Sequence, residues 1–347
     1  MNNLIRNTSH PLIPREQTFN IDRKLVTIHT EDRDINKWPE ANHFEVRLPE
    51  PLQNVESIRL VEIMVPANYY TFSNRNQNTK FWVTCNGFTN EIVISDGFYS
   101  NPEELAAELA GAINDQPWGG PLFDVIYNSV TQKFWFTETT GVGFTLDFSR
   151  QSFYDISNCN YFTENVVFGN YTKWGLPYYL GFEREDYVAE QTPTEIIFNY
   201  NGISAVPANN FYVTAPFTLS ILGESAIYME MDKYNSMDEI MPYSFATNQL
   251  YNNDYSARVN SAFAKIPVIA TPHSQFFDSR NAFLQNISHY HPPLEKIQKL
   301  KFKFRYHDGR LVDFNNSNFN FTIGFNLLQN EQLRDYTINI PETYFIA

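Results

Sequence analysis

Two segments near the C-terminus alternate between apolar and polar side chains almost without error. In KLKFKFRY the apolar face carries Leu300, Phe302, Phe304 and Tyr306, and in FNFTIGFNL one face carries Phe319, Phe321, Ile323, Phe325 and Leu327. Successive side chains of a β-strand point to opposite faces, so each segment predicts a strand with one face in a core. The Asp308-Gly309 pair between them is typical of a tight turn. We therefore expect these two strands to form a hairpin that closes a β-fold.

Most of the remaining chain also has the pattern of strands. HFEVRLP alternates, and SIRLVEIMVP is more continuously apolar, which indicates a strand that is covered on both faces. The Pro49-Glu50-Pro51 sequence between them predicts a turn. One helix is predicted at about residues 102–115, where Pro102 takes the first helical position and Asn101 or Ser100 can cap the N-terminus. The pattern as a whole predicts an all-β protein with one helical element.

Two architectures fit this order of elements. The preferred one is a jelly-roll-type antiparallel β-sandwich with a helix-containing insertion: an extended N-terminal arm at residues 1–22, a sandwich core built from 23–67 and 216–347, and an inserted β-rich segment at 68–215. The alternative is two tandem β-sandwiches, at residues 23–150 and 194–347. Strand pairing is non-local and many registers are compatible with the alternation, so both architectures stay open at this point.

Composition limits the classes of function. The chain of 347 residues carries 39 acidic and 25 basic side chains, a formal net charge of −14, which disfavours binding to nucleic acid. Its two cysteines, Cys85 and Cys159, form no CxxC pair and are expected to be thiols in a reducing compartment. No apolar run is long enough to span a bilayer, and the N-terminus lacks the apolar region of a signal peptide.

Three groups of residues are candidates for catalytic, metal-binding or phosphate-binding sites. Glu31, Asp32 and Asp34 surround Arg33, but a solvated turn with local charge compensation explains them. His289 and His291 have the spacing of two metal ligands on one strand face, although Pro292-Pro293 suggests a loop and further ligands are not apparent. Gly141-Val-Gly143 lacks the following helix of a phosphate-binding loop. We therefore predict a protein that is not an enzyme, with no catalytic residues, no metal site and no cofactor.

A row of positive charge is the sharpest electrostatic feature of this acidic chain. It consists of Lys299, Lys301, Lys303 and Arg305, which alternate with the apolar residues of KLKFKFRY and are expected to face water. Such a row could dock against an acidic neighbour and steer association. It could equally mark an exposed or edge strand whose charges prevent unwanted pairing. We treat these four residues as candidate docking residues.

Several segments, in order along the chain, carry a resemblance to a known family. They are HTEDRD, HFEVRLPEPLQNVESIRLVEIMVPANYYTFS, VISDGFYSNPEELAAELAGAIND, LGF at Leu180–Phe182, SAIYMEMDKYN, FAKIPV and DGRLVDFNN. Together they span roughly residues 28–328 and resemble the minor capsid proteins of nucleocytoplasmic large double-stranded DNA viruses, as found in chlorovirus and mimivirus relatives. The arm at 1–22 and the segments at 150–193 and 233–260 match little.

The resemblance implies a structural role. A protein of this kind is a jelly-roll-type component that cements major capsomers in an icosahedral shell, and the resemblance implies a position at the inner face of that shell. It implies the major capsid protein and other minor capsid proteins as partners, a location in the virion, and assembly in the host cytoplasm. Proximity to an internal viral membrane stays open, without a transmembrane segment in the chain. The family brings no catalytic residues to carry over.

Two other classes of function remain as alternatives. A sandwich-type binding module would bind carbohydrate or a protein ligand through exposed aromatics, which the 16% aromatic content permits. A metal-dependent oxygenase on a jelly-roll scaffold would require two histidines and a carboxylate that converge in the fold. An exposed aromatic stripe would indicate the former, and a converging ligand set the latter.

Overall fold

The structure is a computed structural model of the 347-residue chain. It describes residues 19–66, 70–76, 78–149, 175–199, 202–240, 259–268, 277–278, 287–307 and 311–330. The Asp308-Gly309 turn, Cys159 and most of the N-terminal arm lie outside these residues.

Nineteen strands and two α-helices are formed by the described residues. The first nine strands are β1 (Phe19–His29), β2 (His43–Val65), β3 (Lys80–Cys85), β4 (Phe88–Val93), β5 (Phe123–Asn128), β6 (Lys133–Glu138), β7 (Phe144–Asp147), β8 (Asp186–Val188) and β9 (Glu190–Gln191). The others are β10 (Ile196–Phe198), β11 (Ile203–Val206), β12 (Phe211–Thr214), β13 (Ala226–Met231), β14 (Met237–Ile240), β15 (Val259–Ala262), β16 (Ala264–Pro267), β17 (Phe277–Asp278), β18 (Ile287–Arg305) and β19 (Asn320–Asn330). The helices are α1 (Pro102–Asn114) and α2 (Gly175–Leu180).

The largest sheet has the order β1-β19-β2-β18-β13-β16, with β17 also paired to β2, and its pairs are antiparallel. The two alternating C-terminal segments are the strands β18 and β19, as predicted. The predicted hairpin between them is wrong, because β2 lies between these strands and pairs with both. Alternation determines which face of a strand is buried but does not determine which strand lies beside it. Here β2, from the N-terminal part of the chain, lies between β18 and β19.

β2 is one continuous strand of 23 residues, so the turn predicted at Pro49-Glu50-Pro51 is wrong. Arg47 pairs with Lys299 and Leu52 pairs with Ile297, which leaves residues 48–51 of β2 opposite a single residue of β18. Proline cannot donate a hydrogen bond to the ladder, so prolines within a strand are found at such interruptions, where the strand also bends. At these prolines the chain changes direction, but it bends without leaving the sheet.

A similar interruption of the ladder at prolines occurs on the neighbouring strand, β18. His289 pairs with Ser57 and Leu294 pairs with Val55, so residues 290–293 of β18, which include Pro292 and Pro293, also interrupt the ladder. β18 therefore continues through the Pro292-Pro293 sequence, which the sequence had indicated as a loop. Both long strands carry their prolines at interruptions of their common ladder.

The bend brings the two halves of β2 face to face. A straight strand would separate Phe44 from Ile63 by about 60 Å. Phe321 pairs with Ile63 in the ladder, yet its ring centroid lies 6.5 Å from that of Phe44 and 4.9 Å from that of Phe302. These three aromatic side chains are fully buried. The large sheet thus folds over on itself and encloses a core between two layers, which makes it a sandwich.

A second sandwich is built from the middle of the chain. Its sheets have the orders β4-β3-β7-β8 and β5-β6-β12-β9. The ring centroids of Phe123 and Phe144, one from each sheet, lie 5.2 Å apart in the shared core. Helix α1 packs against this core through Leu105, Leu109 and Ile113. The Asn101 side chain caps α1 by accepting a hydrogen bond from the Glu104 N–H at 2.8 Å, and Pro102 begins the helix.

Two hydrophobic clusters correspond to these two sandwiches. The first draws its buried residues from 28–65 and 227–325, and the second draws them from 72–215. The predicted fold class, a jelly-roll-type antiparallel β-sandwich with a helix-containing insertion, is confirmed. The tandem alternative is wrong, since it separates β2 from its partners β18 and β19. β1 begins at Phe19, so the last residues of the predicted arm 1–22 already pair with β19.

Gly181 of the LGF segment allows two backbone segments to approach each other closely. Its φ is +82°, and its carbonyl oxygen accepts a hydrogen bond from the Phe217 N–H at 3.0 Å. A Cβ at this position would clash with the Phe217 carbonyl oxygen and lie 2.9 Å from the Phe217 carbonyl carbon. The sequence around α2 therefore requires glycine here for both conformation and space.

We expect Gly181→Ala to destabilise the protein strongly. The matched control is Gly87→Ala, because Gly87 has φ +80° but no heavy atom within 4 Å of an added Cβ. The control should show only the left-handed backbone cost of about 1–2 kcal/mol, and Gly181→Ala should lose about 2 kcal/mol more through the clash. Calorimetric unfolding of the two variants measures the difference. Equal losses would contradict the close approach.

Candidate functional site

The predicted docking row lies on β18, next to β2 on one side and β13 on the other. Lys299 is 61% exposed and its Nζ lies 3.1 Å from Glu45 Oε1. Lys301 Nζ lies 5.6 Å from the centroid of the Trp38 ring. β18 is an interior strand of the sheet, so the interpretation of the row as edge protection is wrong. Lys299 and Lys301 remain at the surface, but each has a partner within the chain.

The other half of the row turns inward. Lys303 Nζ lies 3.7 Å from Glu230 Oε2, with both side chains less than a fifth exposed. Arg305 is fully buried, so the expectation that it faces water is wrong. The reason is that the side chains of Tyr228 and Glu230 from β13 and of Glu239 from β14 surround its guanidinium. Arg305 therefore cannot serve as a docking residue in this conformation.

Arg305 is the centre of a buried charged cluster, which we define as Arg305, Glu230, Glu239, His307 and Tyr228. The Arg305 Nε donates to Glu230, and Nη1 donates to Glu239 Oε2 at 2.7 Å and to the Tyr306 carbonyl at 3.1 Å. The other carboxylate oxygen of Glu239 bonds to His307 Nδ1. One guanidinium is thus held by two carboxylates from two different strands, β13 and β14.

Electrostatics within the charged cluster favour the ionised arginine. Burial acts to lower the pKa of Arg305, but the hydrogen bonds to Glu230 and Glu239 outweigh it, and the pKa is raised above its usual value. The guanidinium carbon lies 5.2 Å from the centroid of the Tyr228 ring, and Lys265 Nζ lies 5.8 Å from the same centroid. Burial raises the pKa of Tyr228 to about 12, so this phenol stays neutral. The cluster fixes β14 and β13 to the end of β18.

Sequence reasoning identified Arg305 and missed its partners. Glu230 alternates with Met229 and Met231 in AIYMEMD, so its polar face was apparent, but nothing in the pattern indicates that this face lies beside β18. Glu239 belongs to a strand that was not predicted, in a polar stretch. The only signal in the sequence was an acidic residue in each of the two segments, and that does not determine a contact.

Removal of the negative charge at Glu239 should destabilise the fold. Glu239→Gln leaves the buried Arg305 with one carboxylate, and the loss of one partner of a buried ion pair costs about 3–5 kcal/mol. The control is Glu45→Gln, which breaks the exposed pair with Lys299 and should cost less than about 1 kcal/mol. Denaturant unfolding of both variants gives the comparison. Similar small losses for both would refute a structural role for the charged cluster.

The acidic segment around Arg33 also has a structural explanation. The guanidinium of Arg33 is buried and donates to the Trp38 carbonyl at 3.0 Å, the Pro39 carbonyl at 2.9 Å and Asn318 Oδ1 at 2.8 Å. Arg33 therefore joins the chain before β2 to the chain before β19. Its acidic neighbours Glu31 and Asp32 lie in a short 3-10 helix at Thr30–Asp32.

The remaining sites of potential chemistry serve the fold in the same way. His289 Nδ1 lies 2.7 Å from Glu56 Oε1 on the adjacent strand. In the described part of the chain, no group of three or more histidine, cysteine or acidic side chains could hold a metal ion. At the Gly141-Val-Gly143 turn, the buried carboxylate of Glu138 accepts hydrogen bonds from the Thr140 N–H at 2.8 Å and the Val142 N–H at 2.7 Å. Burial raises the pKa of the free thiol of Cys85 to about 11.

Exposed aromatic side chains are few within the described ranges. They are Tyr70, Phe88 and Phe217, which belong to three different segments. The aromatic residues of the predicted strands mostly pack in the two cores. One cleft has a volume of about 390 Å³ and is lined by Glu40, Arg75, Asp313 and neighbouring residues. In it, Arg75 bonds to Asp313 at 2.9 Å and to Glu40 at 3.1 Å, which links the second sandwich to the first.

Comparisons with known proteins find similarity to solved structures. No protein-family model matches the chain, and no curated protein matches it. The crystal structure of the mavirus penton protein is similar at a TM-score of 0.36 and 12% identity, over 89% of this chain and 99% of that one. A chain of the cryo-EM structure of the Sputnik virophage is similar at a TM-score of 0.38 and 12% identity, over 88% of this chain and 97% of that one. Among the described residues, no helix is both long and apolar enough to cross a membrane.

Proposed function

We propose that this chain is a structural protein of a viral capsid, a minor capsid protein that cements major capsomers at the inner face of an icosahedral shell. Its partners would be the major capsid protein and other minor capsid proteins. Its location would be the virion, with assembly in the host cytoplasm. The domain division follows the same proposal: a sandwich core from residues 23–67 and 216–347, and an inserted unit from 68–215.

One observation carries this proposal. Four of the separate segments on which the resemblance to minor capsid proteins depends meet in the first sandwich. HTEDRD supplies Arg33, which bonds to Asn318 beside β19, and the long HFEVRLPEP segment is β2, which pairs with β18 and β19. SAIYMEMDKYN supplies β13, which pairs with FAKIPV in β16. Segments that are far apart along the chain therefore come together around one sheet, which supports the proposal.

The use of the charged side chains also supports a structural role. Arg33, Arg75 and Arg305 each join segments that are distant along the chain. Charged side chains that hold the molecule in one shape suit a protein that presents fixed surfaces to several neighbours.

The experiment is to localise the full-length protein in the virions of the virus that encodes it. Antibody against the chain should label disrupted virions but not intact ones, and the protein should co-sediment with major capsid protein after mild disruption. Labelling of intact virions would move the protein to the outer face and contradict the inner location. Absence from purified virions would overturn the capsid role altogether.

The docking part of the proposal rests on Lys299 and Lys301. We expect Lys299→Glu/Lys301→Glu to leave the unfolding temperature nearly unchanged and to reduce co-sedimentation with capsomers by about tenfold or more, because like charges in an interface cost several kcal/mol. The control is Lys80→Glu, a partly exposed lysine of the second sandwich that pairs with Glu91 at 3.4 Å. If the double variant co-sediments as well as the control, the row has only a structural role.

A further inference from the structure

Strand β1 forms one edge of the large sheet. Of the residues that the structure describes, only β19 pairs with it. Phe19–His29 thus presents a second row of backbone donors and acceptors along its other side. Its side chains divide between two faces: Val26 and Ile28 point toward the core, whereas Ile21 and Leu25 lie on the outer face and are 63% and 56% exposed. An edge of eleven residues with exposed apolar side chains is a surface that another strand can extend.

Three consecutive charges in the middle of β1 limit which strand can pair there. They are Asp22, Arg23 and Lys24, and charged residues at an edge normally oppose unwanted pairing. Asp22 and Lys24 carry opposite signs, lie on the same face and flank Arg23 symmetrically. This sequence is therefore complementary to itself when it is read in the reverse direction.

We propose that β1 pairs antiparallel with β1 of a second copy of this chain, about a two-fold axis that passes through Arg23. In this register Asp22 lies opposite Lys24 of the other copy and Ile21 lies opposite Leu25 of the other copy, and the symmetry repeats both pairs. Directly opposite residues in an antiparallel pair contact each other through their side chains, so the interface gains two ion pairs and two apolar pairs.

Other registers do not give this match. A two-fold axis through Asp22 places Ile21 opposite Arg23, and an axis through Lys24 places Leu25 opposite Arg23 and Asp22 opposite Val26. Each alternative sets a charge against an apolar side chain and loses the Asp–Lys pairs. The sequence of β1 therefore favours a single register, in keeping with the general need of edge strands for specific pairing.

The proposed register has one unfavourable feature, which makes it testable. The two copies of Arg23 meet at the axis on the outer face, and like charges directly opposite each other destabilise a strand pair. Arg23→Thr should remove this repulsion and strengthen dimerisation. In the registers centred on Asp22 or Lys24, Arg23 lies opposite Ile21 or Leu25 instead of its own copy, so it is the exchange of Asp22 and Lys24 that distinguishes the registers.

The test is sedimentation equilibrium of the full-length chain and of charge variants at β1. Asp22→Lys alone and Lys24→Asp alone each turn two attractive pairs into repulsive ones, and each should weaken dimerisation roughly tenfold or more. The combined variant Asp22→Lys/Lys24→Asp restores complementarity between the copies and should recover most of the lost affinity. Arg23→Thr should dimerise more tightly than the unmodified chain.

Each variant has contacts within its own chain that must be controlled. Lys24 Nζ lies 3.4 Å from Glu50 Oε2, and Asp22 Oδ2 accepts a hydrogen bond from Gln329 at 3.3 Å. The combined variant loses both contacts, so its recovery cannot come from them, and circular dichroism checks that the fold is kept. A monomeric unmodified chain, or a combined variant that dimerises no better than the single ones, would overturn the proposal. If the chain is monomeric, the unpaired side of β1 is available to a strand of a different protein instead.

Discussion

The structure depends on the bend in β2. This strand pairs with β18 along one side and with β19 along the other, and it belongs to both layers of the first sandwich. Its interruption at residues 48–51 lets one half fold over the other, so that Phe44 and Phe321 share a core. A strand that stayed straight would leave two apolar faces in water, and burial of apolar surface is the main force that stabilises a fold of this size.

Polar contacts then fix what hydrophobic burial leaves undetermined. Apolar packing is non-directional and tolerates many arrangements, whereas a buried arginine requires specific partners at specific positions. Arg305 holds β13 and β14 to β18, Arg33 joins the entries to β2 and β19, and Arg75 links the second sandwich to the first. Each of these three arginines therefore joins segments that are distant in sequence.

This arrangement agrees with a role in assembly. A shell component needs faces that keep their shape while several neighbours bind, and here the internal charges are used to hold that shape. The surface that remains has two distinct features, the lysines at the exposed end of β18 and the edge of β1 with its self-complementary charges. The first suits an acidic neighbour and the second suits another copy of the chain, so the two proposals concern different surfaces and can fail independently.

The sequence by itself determined the long alternating strands, their buried faces and helix α1. Alternation of Phe319, Phe321, Ile323 and Phe325 places one face in a core in any fold, and the Asn101-Pro102 start of α1 is local chemistry. It did not determine that β2 separates β18 from β19, that the prolines interrupt a ladder instead of ending a strand, or that Arg305 is buried while Lys299 is exposed. The physical reason is the same in each case. The alternation of side chains along a strand indicates the face to which each one points. The neighbours of a side chain come from strands that are far away in sequence, and only the tertiary structure decides which of them cover it.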